Sequence, residues 1–341
     1  MTTTPTDSAL AAFRGLAIGD ALGMPTQSMS LAQIRQDHGV VTGFVDAGPS
    51  QRIAHGMPAG RITDDTEQAV LLAELLVEGH GRLDPVRFAE ALIAWERAMA
   101  AKGSLDLLGP STKTAVQRIL DGVPASEAGS TGTTNGAAMR ITPVGIATPL
   151  GSGATGLAAF VDAVQDASRV THDTGLGIAG ASAVAAAVSA GIEGASRSEA
   201  LDLAVAAARV GETRGHWVAG ASIADRAAWA REYLPSVPAD RRIDAVSGLI
   251  GTSVASQESV VAALALVSLD LDPWQTLGIA ASIGGDTDTI AAMAGAVLGA
   301  VSGRDAWPEY AVQLVESEND LHLEQLTEQL LVLRAGAPAR A

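Results

Sequence analysis

No cysteine occurs anywhere in the chain. That excludes a thiol nucleophile, a Cys-ligated zinc or iron–sulfur site and any disulfide framework, and it fits a reducing cytoplasm, which is the expected location. Aromatic residues are also scarce, at 3% against 48% hydrophobic residues overall, and there are 37 glycines. The interior must therefore be built from small and aliphatic side chains, which favours closely packed helices over an aromatic-rich β-sandwich. Positive charge is the third shortage: 22 Lys and Arg stand against 38 Asp and Glu, a net charge of −16. A field of that sign repels phosphate backbones and anionic headgroups, so neither nucleic acid nor a membrane surface is expected as a partner. The same field attracts divalent cations, although an acidic surface is also an ordinary solubility device.

The N-terminus MTTTPTDSAL has no basic segment ahead of an apolar core, so no secretory signal is read there. Thr174 to Ile192 is uncharged and long enough to raise the question of a membrane span. It is mostly Ala, Gly, Ser and Thr, whose transfer into lipid gains little, and the expectation is a buried core helix.

Strand signals are few. Val40 to Val45 is the best strand candidate, and one short strand cannot make a stable sheet. Helical periodicity dominates instead: Ala69, Leu72, Ala73, Leu76 and Val77 share a face, as do Phe88, Leu92 and Trp95. Further helices are expected around Ala9–Leu22, Ser111–Leu120, Gly156–Val170, Thr174–Ala190, Arg197–Val210, Trp217–Tyr233, Ser259–Leu269, Pro273–Ile283, Asp288–Val301 and Glu318–Leu333. Ala291, Gly295 and Gly299 recur every four residues and leave a smooth stripe where another helix backbone can approach. The fold class is all-α. With no long linker and no repeat of fixed period, one domain is expected over 13–333, between tails at 1–12 and 334–341, and a monomer is the expected state.

Two acidic clusters stand near opposite ends of the chain. Thr63-Asp64-Asp65-Thr66-Glu67 precedes one amphipathic helix, and Gly284-Gly285-Asp286-Thr287-Asp288-Thr289 precedes the small-residue helix. Thr and Asp are preferred N-caps, and acidic charge at a helix start stabilises by roughly 0.3–1 kcal/mol, so either cluster alone reads as capping. Capping needs one side chain per helix, however, and here four aspartates lead into apolar helices that should be buried. Crowded buried carboxylates must be neutralised, protonated or bound to cations. An all-oxygen set selects Mg²⁺, Mn²⁺ or Ca²⁺ over zinc, and two ions a few Å apart could share these ligands.

Five motifs in order carry a family resemblance: Gly15-Leu16-Ala17-Ile18-Gly19-Asp20-Ala21-Leu22-Gly23-Met24-Pro25, Thr63-Asp64-Asp65-Thr66, Asn135-Gly136-Ala137-Ala138-Met139-Arg140, Thr171-His172, and Gly284-Gly285-Asp286-Thr287-Asp288-Thr289. Together they resemble the ADP-ribosylglycohydrolase family, which includes the dinitrogenase reductase-activating glycohydrolases. The resemblance implies a compact, orthogonal multi-helix domain with a binuclear Mg²⁺ or Mn²⁺ centre at the mouth of a cleft. The implied reaction is hydrolysis of the bond at ribose C1 of an ADP-ribosylated substrate. It further implies Thr63, Asp64, Asp65, Asp286, Asp288 and Thr289 as metal ligands, Asp64 or Asp65 as the base that accepts the water proton, and Asp20 as a partner behind the metals. Gln27, Asn135, Gly136 and His172 are the expected substrate contacts. On residue type alone, Asn135-Gly136 is an ordinary tight turn, Arg140 an anion contact or a structural salt bridge, and His172 a substrate contact or a helix cap.

The match departs from the family in places. Gln27 stands where many members carry Glu, and Gly132-Thr133-Thr134 replaces an acidic residue found in some. The loop Gly103–Thr112 offers only Asp106 where the arginine-specific members have an aspartate. These changes remove negative charge that could hold a guanidinium leaving group. Two other readings therefore stand beside the ADP-ribosyl hydrolase: a metal-dependent glycosidase of a small nucleoside or riboside, and a non-catalytic member like the lens crystallins that resemble this family.

Overall fold

The computed structural model describes residues 4–104 and 108–336; Asp106 lies outside them. Among the described residues there are seventeen α-helices and no strand: α1 (Pro5–Gly23), α2 (Leu31–Asp37), α3 (Asp64–Glu78), α4 (Pro85–Ala101), α5 (Pro110–Leu120), α6 (Gly136–Met139), α7 (Thr142–Ala147), α8 (Gly153–His172), α9 (Gly175–Ile192), α10 (Arg197–Gly211), α11 (Ile223–Ser236), α12 (Arg242–Ala245), α13 (Ser256–Val267), α14 (Pro273–Ala280), α15 (Thr287–Ser302), α16 (Glu309–Asn319) and α17 (Leu323–Gly336).

The shortage of aromatics has its structural counterpart at the centre. Helix α9 is almost entirely buried although its length and apolarity would suit a membrane span; it packs against α6, α7, α8, α10, α13 and α15. Its alanines and glycines let the neighbouring backbones close in, so the core is filled by proximity rather than by large side chains.

The closest helix pair is α1 against α15, running antiparallel, and the stripe on α15 is what permits it. A Cβ on Gly295 would lie 2.0 Å from the Gly15 carbonyl oxygen, and one on Gly19 would lie 2.1 Å from that of Ala291. The contact continues to the end of α1, where Gly23 meets the backbone of Asp288. The C-terminal end of α1 is thereby set beside the N-terminal end of α15, and Asp20 and the second acidic cluster come to the same place.

Several expectations are corrected. The segment assigned to an N-terminal tail is helical from Pro5, because Thr4 and Asp7 form a reciprocal capping box and Pro5 suits the first turn. At the other end, α17 continues to Gly336. Val40–Val45 is not a strand: the Val41 N–H donates to Ser282 Oγ, just past α14, and Trp274 Nε1 donates to the Thr42 carbonyl, so these backbone groups are met by side chains rather than by a neighbouring strand. The helix expected from Trp217 begins at Ile223, capped by Ser222. That expected over Glu318–Leu333 is broken at Asp320, which takes the left-handed conformation at φ 52° and ends α16.

Candidate active site

The two acidic clusters meet in space. Thr289 Oγ1, in the first turn of α15, donates to Asp65 Oδ2 at 3.2 Å, and Thr63 Oγ1 lies at the same distance from that oxygen. Thr289 also bonds to Asp286. Asp65, Asp288, Thr63 and Thr289 are buried, while Asp64 and Asp286 are half-buried.

The start of α3 is capped from another helix. Asp20, fully buried at the end of α1, accepts from the backbone N–H and hydroxyl of Thr63 and from the backbone N–H and hydroxyl of Thr66. A helix start is thus capped by a carboxylate from another helix, and Thr63 Oγ1 adds the local cap on the Asp65 N–H at 3.4 Å. Capping does not consume the side chains of Asp64 and Asp65. Burial pushes Asp20 up to about 6 against the pull of its four hydrogen bonds, and it pushes Asp286 up to about 6 against bonds from Asn135 and Thr289.

The second cluster is delivered by a tight approach. Gly285, at φ 74°, sits where a Cβ would strike the Thr252 carbonyl oxygen at 2.3 Å. There it pairs with Met29 while the Asp286 N–H donates to the Thr252 carbonyl, so glycine is required on both counts. A cavity of about 470 Å³ opens beside it, lined in part by Arg226, Thr252, Glu258 and Gly285. Gln27 is held at the edge of this bridge. Gln51 Nε2 donates to the carbonyls of Met24, Pro25 and Gln27, and the Gln27 Nε2 atom is buried without a hydrogen-bond partner.

Asn135 belongs to the second cluster. Its Nδ2 donates to Asp286 Oδ2 at 2.5 Å and to Ser259 Oγ at 2.9 Å, so one amide hydrogen orients Asp286 and the other is held by Ser259. The expected Asn135-Gly136 turn is the start of the short helix α6. A Cβ on Gly136 would press on the His172 ring at 3.0 Å. His172, the last residue of α8, is fully buried with Nε2 3.0 Å from Thr134 Oγ1 and Nδ1 2.7 Å from Thr171 Oγ1. The helix-cap role does not hold, because α9 is capped by Thr174, whose Oγ1 accepts from the Gly177 N–H, and both ring nitrogens of His172 face threonine hydroxyls. Burial, helped by the charge of Arg140, lowers His172 well below the usual imidazole range.

Arg140 touches no surface. It lies over the Phe88 ring and donates to Gln68 and Thr171. Gln68, Gln51 and Ser259 were not among the residues singled out from the sequence. Gln68 could have been, since it stands four residues after Asp64 on one helix face and donates to it at 2.7 Å. Nothing local marks the other two. Among the described residues no three His, Asp or Glu side chains converge into a cation cage by themselves, so an ion held here would also draw on threonine hydroxyls and water.

The sequence profile of the ADP-ribosylglycohydrolase family matches residues 1–340. The chain belongs to this family. It is 34% identical over 303 residues to the uncharacterized protein YegU of Escherichia coli (strain K12), covering 88% of this chain and 89% of that one. It is 31% identical over 143 residues to the ADP-ribosyl-[dinitrogen reductase] glycohydrolase of Rhodospirillum rubrum, 42% of this chain and 45% of that one. Among solved structures, an ADP-ribosylglycohydrolase-related protein complex superposes with a TM-score of 0.69 at 25% identity, over 96% of this chain and 98% of the other. ADP-ribosylglycohydrolases are hydrolases of ADP-ribosyl glycosidic bonds, and the all-helical architecture is the family's own.

Proposed function

We propose that this ADP-ribosylglycohydrolase cleaves the glycosidic bond at ribose C1 of an ADP-ribosylated substrate with the help of two Mg²⁺ or Mn²⁺ ions. One observation carries the reading: Thr289 reaches Asp65 across 224 residues of sequence, while Asp20 and Thr63 between them cap α3. The oxygen set of Thr63, Asp64, Asp65, Asp286, Asp288 and Thr289 suits hard divalent cations. A carboxylate raised by burial, as Asp286 is, is one that a bound cation would return to its ionised form.

Ions held there would orient the ribose hydroxyls and acidify a water. The chain's own groups supply the rest. Asp64, the more exposed of the first pair, is the base that takes the water proton. Asp65, buried between Thr63 and Thr289, has a holding role. The assembled carboxylates favour the positive character that develops at C1 in an oxocarbenium-like transition state.

A second reading, a metal-dependent glycosidase of a small nucleoside or riboside, is favoured by Gln27. Its neutral carboxamide brings no negative charge to the site, where a guanidinium leaving group would need one. The non-catalytic reading finds no support in a cluster of carboxylates kept buried at such cost.

Glycosyl release from ADP-ribosyl-serine, ADP-ribosyl-arginine and a nucleoside panel, with and without Mg²⁺ or Mn²⁺, separates these readings. Ion-dependent release from an ADP-ribosyl conjugate, with ADP-ribosyl-serine cleaved faster than ADP-ribosyl-arginine, is the expected result. Turnover of nucleosides alone would transfer the assignment to the second reading, and full activity of Asp286→Ala would end the metal mechanism.

A further inference from the structure

The connection between α2 and α3, residues 38–63, contains neither helix nor strand. Loops of that length inside a compact domain are uncommon and usually have work to do. This one leads directly into Thr63-Asp64-Asp65. Ser50 ties it to α2, its N–H and hydroxyl bonding to the Asp37 carboxylate at 2.8 and 3.1 Å. Gln51, the next residue, is buried. Its Nε2 lies 3.3, 3.2 and 3.1 Å from the carbonyls of Met24, Pro25 and Gln27. Its Oε1 accepts from the N–H groups of Ile53 and Ala54 at 2.8 and 3.3 Å. Both ends of the carboxamide are therefore in use, with two amide hydrogens shared among three carbonyls.

The turn that Gln51 grips is also the one on which the second cluster rests. The Ser28 N–H donates to the Gly285 carbonyl at 2.6 Å, and the Gly285 N–H donates to the Met29 carbonyl at 2.9 Å. Thr26 Oγ1 donates to the Ala281 carbonyl at 2.7 Å, and Thr287 Oγ1 donates to the Gly23 carbonyl at 3.0 Å. The turn is strained at its centre: Ser28 has φ 58°, the left-handed region that a residue with a Cβ seldom occupies. Such a conformation persists where the surroundings over-determine it. Here the bonds to residues 281–287 do so from one partner segment and Gln51 does so from another.

We propose that Gln51 is a positioning residue for the cation site: by holding the carbonyls of Met24, Pro25 and Gln27 it keeps the strained turn in the conformation on which Gly285 docks, and so fixes where Asp286 and Asp288 stand. The inference rests on the reading of Thr63, Asp64, Asp65, Asp286, Asp288 and Thr289 as ligands for hard divalent ions. Gln51 itself touches neither ion nor substrate. Because its own loop continues into the first cluster, one side chain ties the approach to Thr63-Asp64-Asp65 to the support of Asp286 and Asp288. A residue that only closed its own loop would need the bonds to Ile53 and Ala54 and would have no use for three carbonyls of a distant turn.

The test measures Mn²⁺ binding to the full chain by titration calorimetry and amide hydrogen exchange by NMR, so it needs no substrate. Gln51→Met keeps an unbranched side chain of similar length and removes both ends of the carboxamide. It should weaken Mn²⁺ binding by about tenfold or more, as expected of residues that support metal ligands from behind. Exchange of the Ser28 and Gly285 amides, which bond across the turn, should become about tenfold faster. Ser50→Ala frees the same loop from Asp37 without reaching the turn, and should leave both quantities within about twofold of wild type. If Gln51→Met does not fold, Gln51→Glu takes its place: it keeps the acceptor for Ile53 and Ala54, loses the amide donor and should weaken binding likewise. Unchanged Mn²⁺ affinity in the Gln51 variant, or an equal loss in Ser50→Ala, would overturn the proposal. A wild-type chain that binds no Mn²⁺ would end the metal reading instead, and exchange at Ser28 and Gly285 would still decide whether Gln51 holds the turn.

Discussion

Asp20 and His172 show how a residue's neighbours, rather than its type, assign its work. Asp20 sits in a run of small residues that reads as helix packing, yet it caps a helix more than forty residues away in sequence. His172 sits at a motif position and in the structure is sealed into the interior. Its depressed proton affinity has a definite consequence for stability. In the unfolded chain His172 binds a proton below about pH 6.5, whereas folded it does not until far lower, so unfolding takes up one proton across that window and stability falls as the pH is lowered. Asp20 and Asp286, raised by burial, bind protons in the folded state first and act in the opposite sense. The difference between wild type and His172→Gln in denaturant unfolding isolates the histidine: the advantage of the wild type should shrink by about 1.4 kcal/mol for each pH unit below 6.5. A constant difference from pH 7 to 5 would mean that the buried ring titrates normally.

At the scale of the helix, α1 and α15 show which glycines are there for contact. Gly295→Ala would drive a methyl group into the Gly15 carbonyl, with backbone on both sides and nothing able to rotate away. A loss of about 3 kcal/mol or more is expected, at the upper end of overpacking effects. Gly248, next to α12, has open space around the position of a Cβ and no left-handed φ. Gly248→Ala should be neutral or stabilising by up to about 1 kcal/mol, because it only narrows the unfolded ensemble. Equal effects of the two substitutions on the urea midpoint would contradict the packing described here. The four-residue stripe Ala291, Gly295, Gly299 was readable in the sequence, because an interface of small residues is written on one helix by itself. Its partner was not: Gly15 and Gly19 form an equally good stripe, but nothing in either segment says that the two lie antiparallel to one another.

For the whole molecule, joining the chain's two ends at one site ties ion binding to global stability. A cation that binds only the folded form raises the melting temperature. With Mn²⁺ or Mg²⁺ at one hundred times its dissociation constant, the gain should be about 2.7 kcal/mol, and Asp286→Ala should abolish it. Because α1, α15 and α9 share one core, a single cooperative transition is expected with and without ions. Calorimetry that resolves two transitions, or a wild-type melting temperature indifferent to both ions, would speak against a site built from both ends.

The sequence by itself determined the class of fold and the chemistry available to it. Periodicity and composition are local properties, and they suffice to say that helices form, that they pack closely through small residues, and that the reactive groups are carboxylates and hydroxyls suited to hard cations. It also named most of the residues that gather at the candidate site, since the acidic clusters are contiguous in the chain. What only the tertiary structure decided is how those groups are paired: that Asp20 caps α3, that Thr289 reaches Asp65, that Asn135 serves Asp286, and that Arg140 joins Gln68 to Thr171. Each of these contacts is a hydrogen bond between segments remote in sequence. Its existence depends on where a helix ends and how it is rotated against another, which no single segment encodes. For the opening pair of clusters, the sequence supplied the carboxylates and hydroxyls, and the antiparallel approach of α1 and α15 helped to set the place where they meet.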